Sequence, residues 1–177
     1  LVDYNNEILE NELSFTSEID DLFFGFTASV YETLNENYED KYEYILPEIT
    51  FDKSLLNSQK YGSLSLQSNY KVHNYDTNKL TNFLINDFSW NSKDFLFKNG
   101  INTKLLGNLK NINYETKNID LYKKDLTNEL YGAIGLLTEL NFQKNQNNSK
   151  HFFTPKMLIR FSPGQMREEK QGNRLNP

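Results

Sequence analysis

The feature that most constrains this chain is an alternation of period two, sustained over stretches longer than ten residues. From Leu22 to Tyr31, Leu22, Phe24, Phe26, Ala28 and Val30 fall on one side of an extended chain. Phe23, Gly25, Thr27, Ser29 and Tyr31 fall on the other. Successive side chains of a strand point to opposite faces, so the first face is apolar and the second mostly small and polar. From Tyr61 to His73 the pattern repeats, with Leu64, Leu66, Tyr70 and Val72 against Ser63, Ser65, Gln67, Asn69, Lys71 and His73. It returns near the end, where Phe153, Pro155, Met157, Ile159 and Phe161 oppose Thr154, Lys156, Leu158, Arg160 and Ser162. A helical period of 3.6 is not sustained anywhere.

Polar segments punctuate these runs at 35–41, 57–60, 75–78, 113–125 and 143–150. Asn99-Gly100 is the strongest hairpin signal, and a type I′ turn is expected there because both residue types tolerate positive φ. The predicted strands are 9–19, 22–34, 42–53, 61–73, 80–97, 101–115, 126–142 and 150–162. The 80–97 segment reads either as one bulged strand or as two strands broken near Asn91-Ser92-Lys93. The spacing predicts an all-β antiparallel meander.

Strand length narrows the architecture. Strands of soluble proteins run about 5–6 residues. Those crossing a bilayer at a tilt need about 9–11. Composition fits a two-faced sheet: mean hydropathy is -0.70, yet the chain carries 13 Phe, 11 Tyr and one Trp. A solvated chain has no use for so many aromatics, whereas a wall that is apolar outside and polar inside does. A transmembrane barrel is therefore the favoured architecture, with a soluble β-sandwich of two packed layers as the alternative. The longest apolar run, Leu22-Phe23-Phe24-Gly25-Phe26, is far short of a spanning helix. There is no cysteine, so no disulfide framework or thiolate metal site is available. The net charge of -5 offers no basic face, so a nucleic-acid partner is not expected.

Candidate chemistry is sparse. His73 and His151 lie near the ends of predicted strands without metal-ligand spacing around them. Ser63 and Ser65 share a strand face with His73 but are too far along it for a nucleophile–base pair. Glu36, Glu39 and Asp40 beside Lys41 lack the spacing of a calcium loop and read as a solvated turn. Asn147-Asn148-Ser149 matches a glycosylation sequon, read here as a chance match. No catalytic, cofactor or metal residue is assigned, and the chain is not expected to be an enzyme. Lys71, His73, Lys156 and Arg160 occupy polar strand faces, where they would either line a hydrated lumen in ion pairs or meet anionic groups on a passing glycolipid.

Several segments resemble, in order and spacing, the barrel of the lipopolysaccharide-assembly family LptD, of the alphaproteobacterial type. Tyr44-Ile45-Leu46-Pro47-Glu48-Ile49 is similar to the family's LP-containing strand start. Tyr61-Gly62-Ser63-Leu64-Ser65-Leu66 follows as a G-x-L-x-L strand, then Asn74-Tyr75-Asp76-Thr77 and a strand ending in Phe88-Ser89-Trp90. The closest match runs from His151 through Thr154-Pro155, Arg160, Ser162-Pro163-Gly164 and Met166-Arg167, with Leu136 to Lys144 fitting before it. The resemblance covers most of 42–167, and residues 1–41 match only as generic barrel strands. The cysteines of some family members are missing here. The resemblance implies a mid-barrel piece, residues 1–177 forming about eight strands of one larger transmembrane β-barrel domain in the outer membrane. Both chain ends are read as cuts in a longer protein. It also implies transport without covalent chemistry: lipopolysaccharide passes from a periplasmic LptA-like bridge into the outer leaflet, with the lipoprotein LptE as helper and outer-membrane lipid around the wall. Another outer-membrane barrel, such as a porin or receptor, and a soluble carbohydrate-binding sandwich are the other readings.

Overall fold

A computed structural model describes residues 8–35, 41–76, 78–123, 125–146 and 149–163. Eleven strands follow in chain order: β1 (Ile8–Ile19), β2 (Leu22–Thr33), β3 (Tyr42–Ser58), β4 (Gly62–Tyr75), β5 (Lys79–Asn91), β6 (Phe95–Leu96), β7 (Ile101–Lys117), β8 (Thr127–Leu140), β9 (Phe142–Gln146), β10 (Ser149–Phe153) and β11 (Lys156–Phe161). The main sheet has the order β1-β2-β3-β4-β5-β7-β8-β11, with β6 also on β7, and every pairing is antiparallel. Apart from the short β6 and the β9–β10 hairpin, which are passed over between β5 and β7 and between β8 and β11, each strand pairs with its chain neighbour, which is the expected meander. The sheet does not close: β1 and β11 are its two outer strands. No second sheet packs on it among the described residues, so the two-layered sandwich is not seen.

The strand boundaries depart from expectation where local chemistry interrupts a ladder. β3 continues to Ser58, five residues past the predicted end. Segment 80–97 is broken, as one of its two readings had it, and both pieces pair with β7. Ser92 makes the break: its N–H donates to Leu105 O (2.8 Å) while its own Oγ accepts from Leu105 N–H (2.8 Å). The hydroxyl thus replaces a ladder carbonyl, and the backbone leaves the sheet without orphaning Leu105. The last two predicted strands are each divided too, at Asn141 and at Thr154-Pro155. Proline has no N–H to donate, so the ladder lapses there. The register carries through, with Phe153 opposite Phe142 on one side of the gap and Lys156 opposite Glu139 on the other. Leu140 N–H bonds Pro155 O (3.2 Å) and Thr154 Oγ1 donates to Asn141 Oδ1 (2.9 Å) across the gap.

The Asn99-Gly100 turn lies where expected but is not type I′. Only Gly100 has positive φ (81°). Gly100 N–H bonds Phe97 O (2.9 Å), and Phe97 N–H bonds Ile101 O (2.8 Å), which makes a three-residue loop ending in a left-handed glycine. Gly62 is the second obligatory glycine. Its φ is 88°, and an added Cβ would sit 2.0 Å from Asn91 O.

Burial separates the two faces. Directly opposed residues of an antiparallel sheet share a face. Followed across the register, the buried strand residues Ser29, Thr81, Ile85, Ile112, Tyr114 and Ala133 all fall on one side. Tyr122, from the β7–β8 connection, packs on this side against Phe83 and Tyr114, and Ile119 of the same connection is buried. Burial of strand residues on one side of a single sheet means that the sheet rolls toward that side. The opposite side carries Leu13, Phe15, Leu130, Ile134, Ile159 and Phe161 in the open.

Candidate functional site

The inner side is polar over most of its area, and its lysines are matched to acids, most of them across neighbouring strands. Lys71 Nζ lies 3.5 Å from Glu48 Oε2, its direct cross-strand partner. Asn69 Nδ2 donates to the same carboxylate (3.5 Å) and to Thr50 Oγ1 (3.3 Å). Lys110 lies 3.2 Å from Asp87, Lys104 3.4 Å from Asp94, and Lys156 3.1 Å from Glu139, which also accepts from Asn102 Nδ2 (3.3 Å). Such half-exposed pairs contribute about 0–1 kcal/mol each. Their significance is that they form a hydrated wall with little unbalanced charge.

The sequence-derived candidates distribute over this wall without converging. Lys71, His73, Lys156 and Arg160 all face inward, but β5, β7 and β8 separate the first two from the last two. His73 is hydrogen-bonded to Glu43 and stacks on Tyr75 with ring centroids 4.6 Å apart. Ser63 and Ser65 pair with Asn91 and Ser89, whereas His73 pairs with Thr81 at the other end of β4. His151 lies on β10, in contact with Ser149 Oγ (3.1 Å). Arg160 stands opposite Gly135, and no carboxylate reaches it among the described residues. Glu36, Glu39 and Asp40, like Asn147 and Asn148, lie outside the described residues. No group of three or more potential metal ligands occurs among the described residues.

The outer side carries the more informative geometry. One row of paired residues runs Leu22–Lys53–Leu66–Phe88–Leu109–Gly132 from β2 to β8. On β2 this row is the border of the apolar run, which extends from Leu22 to Val30 toward the sheet end bearing Asp76. On β7 the same row is the opposite border. Past Leu109 toward the Asp76 end this face holds Asn111, Asn113, Glu115 and Lys117. On β8 only Leu130 lies beyond Gly132 before Asn128, and the apolar run goes the other way through Ile134 and Leu136 to Leu140. The band has therefore slid about 6–8 residues in five strand-to-strand steps, at about 3.3 Å per residue and about 4.8 Å per step. That is a slope of about 40–48°, against a strand tilt of about 35–45° in transmembrane barrels. Projected at that slope, the run Leu22–Val30 on β2 is about 18–20 Å high, against about 25 Å for the lipid-facing band of such barrels, and on β5 the same face from Leu80 to Trp90 is interrupted by Asn82 and Asn86.

Aromatics with polar tips occupy both borders. Tyr42 and Tyr44 stack at the Asp76 end of the band (6.3 Å between centroids), with the Tyr42 hydroxyl on Glu32 (3.3 Å). Trp90 closes the Gly100 end of the band on β5 and donates Nε1–H to Tyr61 O (3.1 Å). Neither a family model nor a curated protein matches the chain.

One element of the outer face is polar by design of its own. Ser68 Oγ donates to Asn86 Oδ1 (2.7 Å), and Asn86 Nδ2 to Asn111 Oδ1 (3.5 Å). Asn111 Nδ2 donates to Asn128 Oδ1 (3.4 Å), Asn113 Nδ2 returns to Asn111 Oδ1 (2.6 Å), and Asn128 bonds Asn113. This ladder crosses four strands, β4, β5, β7 and β8, and satisfies most of its amide groups internally. Sequence reading missed it, because only the register brings these residues together.

Proposed function

We propose that this chain is a stretch of wall of a transmembrane β-barrel in the outer membrane, and that the barrel is a lipopolysaccharide translocon of the LptD kind. The oblique apolar band carries the first part. A soluble sheet has no reason to set its exposed apolar side chains in a strip whose slope matches that of strands crossing a bilayer. The second part rests on the ordered motifs between 42 and 167. In that role the wall makes and breaks no covalent bond. The inner face keeps water and sugars beside paired charges, with Lys71, His73, Lys156 and Arg160 turned toward anionic groups on the cargo. The outer face meets outer-membrane lipid. LptE and a periplasmic LptA-like bridge would be its protein partners.

A porin or receptor barrel is the second reading, because the paired cations of the inner face suit any hydrated pore. Photo-crosslinking in cells separates the two. A benzoylphenylalanine at Gln67, on the inner face, is expected to capture lipopolysaccharide, whereas one at Phe26 captures phospholipid. Phospholipid at Phe26 with no lipopolysaccharide at Gln67 would favour a pore. Phospholipid at neither position would remove the membrane reading altogether.

A further inference from the structure

Charge is unevenly distributed along the chain. Between Glu139 and Glu168 there is no carboxylate, yet the segment carries Lys144, Lys150, Lys156, Arg160 and Arg167 in a chain of net charge -5. Two of these cations sit on the β9–β10 hairpin, which projects past the main sheet at the Gly100 end. Beyond Leu140 it continues six residues to Gln146, roughly 20 Å along the strand.

The order of side chains along the outer face of this hairpin follows a bilayer interface. Leu140 ends the apolar run. One step further, Phe142 and Phe153 stand opposite each other with ring centroids 6.1 Å apart, 50% and 67% exposed. The next step brings Lys144 opposite His151, whereas Lys150, opposite Asn145, lies on the reverse face of the hairpin. The lysines of the main sheet that face inward have acid partners, but no carboxylate is within reach of Lys144 among the described residues. Hydrocarbon, then aromatic rings, then an unpaired cation is the sequence of environments met on leaving a membrane. We propose that the β9–β10 hairpin is a membrane-surface anchor, its Phe142–Phe153 pair at the hydrocarbon edge and Lys144 on the phosphates of anionic lipid headgroups. The inference rests on the membrane reading of the outer face.

The test uses the whole 177-residue chain, inserted into phosphatidylcholine vesicles with or without phosphatidylglycerol. Trp90, the single tryptophan, reports insertion independently of the hairpin through quenching by brominated acyl chains. A lysine near an anionic surface changes affinity about fivefold, so Lys144 should favour phosphatidylglycerol vesicles about fivefold at low salt. Lys144→Gln should abolish most of that preference while Trp90 quenching is unchanged, and Lys150→Gln, on the reverse face, should keep it. Lys117→Gln/Lys123→Gln, on the opposite end, should keep it. A preference that survives in the hairpin variant, or is lost equally in the control, overturns the anchor. Absence of Trp90 quenching in every vesicle overturns the membrane reading instead.

Discussion

Introducing lysine at matched positions tests the facing and the slope of the apolar band together. Phe26 sits at the middle of the β2 run, opposite Phe15 on one side and Ile49 on the other. On the proposed membrane reading, a lysine there would lie at the hydrocarbon midplane, at a cost of about 2–4 kcal/mol. That lowers the ratio of assembled to unassembled chain by about 30- to 900-fold. Thr27 is the adjacent residue on the inner face, opposite Glu48. A lysine at 27 meets that carboxylate in a hydrated setting, so its effect should stay within about 1 kcal/mol. The slope adds a second contrast on β8. Leu130 lies in the same row as Phe24, linked through Phe51, Ser68, Asn86 and Asn111. On β8, however, that row is already at the border. Leu130→Lys should therefore cost about 0–1 kcal/mol, whereas Leu136→Lys, deep in the β8 run, should cost as much as Phe26→Lys. The assay is urea titration of the vesicle-inserted chain, followed by Trp90 emission. Equal costs for Phe26→Lys and Thr27→Lys would refute the facing. Equal costs for Leu130→Lys and Leu136→Lys would refute the slope.

Three further outcomes are expected. Gly62→Ala should block assembly, since its Cβ would overlap Asn91 O, whereas Gly100→Val should assemble with stability lowered by about 1–2 kcal/mol for the left-handed backbone alone, its nearest neighbour Leu140 Cδ1 being 3.7 Å away; urea titration of both variants checks the contrast. If the chain serves the proposed transport, His73→Gln/His151→Gln should leave lipopolysaccharide export nearly intact, as neither residue converges with other chemistry; loss of export with normal assembly would expose a role for one of them. The 177-residue chain should enter vesicles as an oligomer, because the open edges of β1 and β11 would each leave unpaired backbone groups in lipid at several kcal/mol apiece. Crosslinking that yields only monomer would mean that the two edges close on each other.

What the sequence made legible was whatever depends on neighbours two residues apart. The faces of Leu22–Tyr31 and Tyr61–His73, the meander and the position of the Gly100 turn all follow from local alternation and punctuation. The three-residue form of that turn did not, because Asn-Gly fits both a type I′ turn and a loop ending in a left-handed glycine. The break at Ser92 was legible only as one of two readings, because a serine hydroxyl can replace a carbonyl only when a partner such as Leu105 stands opposite, and the break at Asn141 was not read at all. The slope of the band was least accessible. It is a property of six strands in register, and each strand alone shows only an apolar run. The candidate cations could be placed on inward faces from alternation, but their acid partners lie on other strands, so the pairing of Lys71 with Glu48 or Lys110 with Asp87 could not be read.

The amide ladder bears on how the strands find one another. Alternation alone gives little information about alignment: sliding β5 past β7 by two residues would keep the inward faces inward. The amides narrow that tolerance. A slip by two residues would set Asn86 opposite Leu109 in one direction and Asn111 opposite Phe88 in the other, so that in either case an amide loses its partner, at about 0.5–1.5 kcal/mol per lost hydrogen bond. A few amides on the outer face thereby act as a vernier, favouring one alignment of four strands over its neighbours.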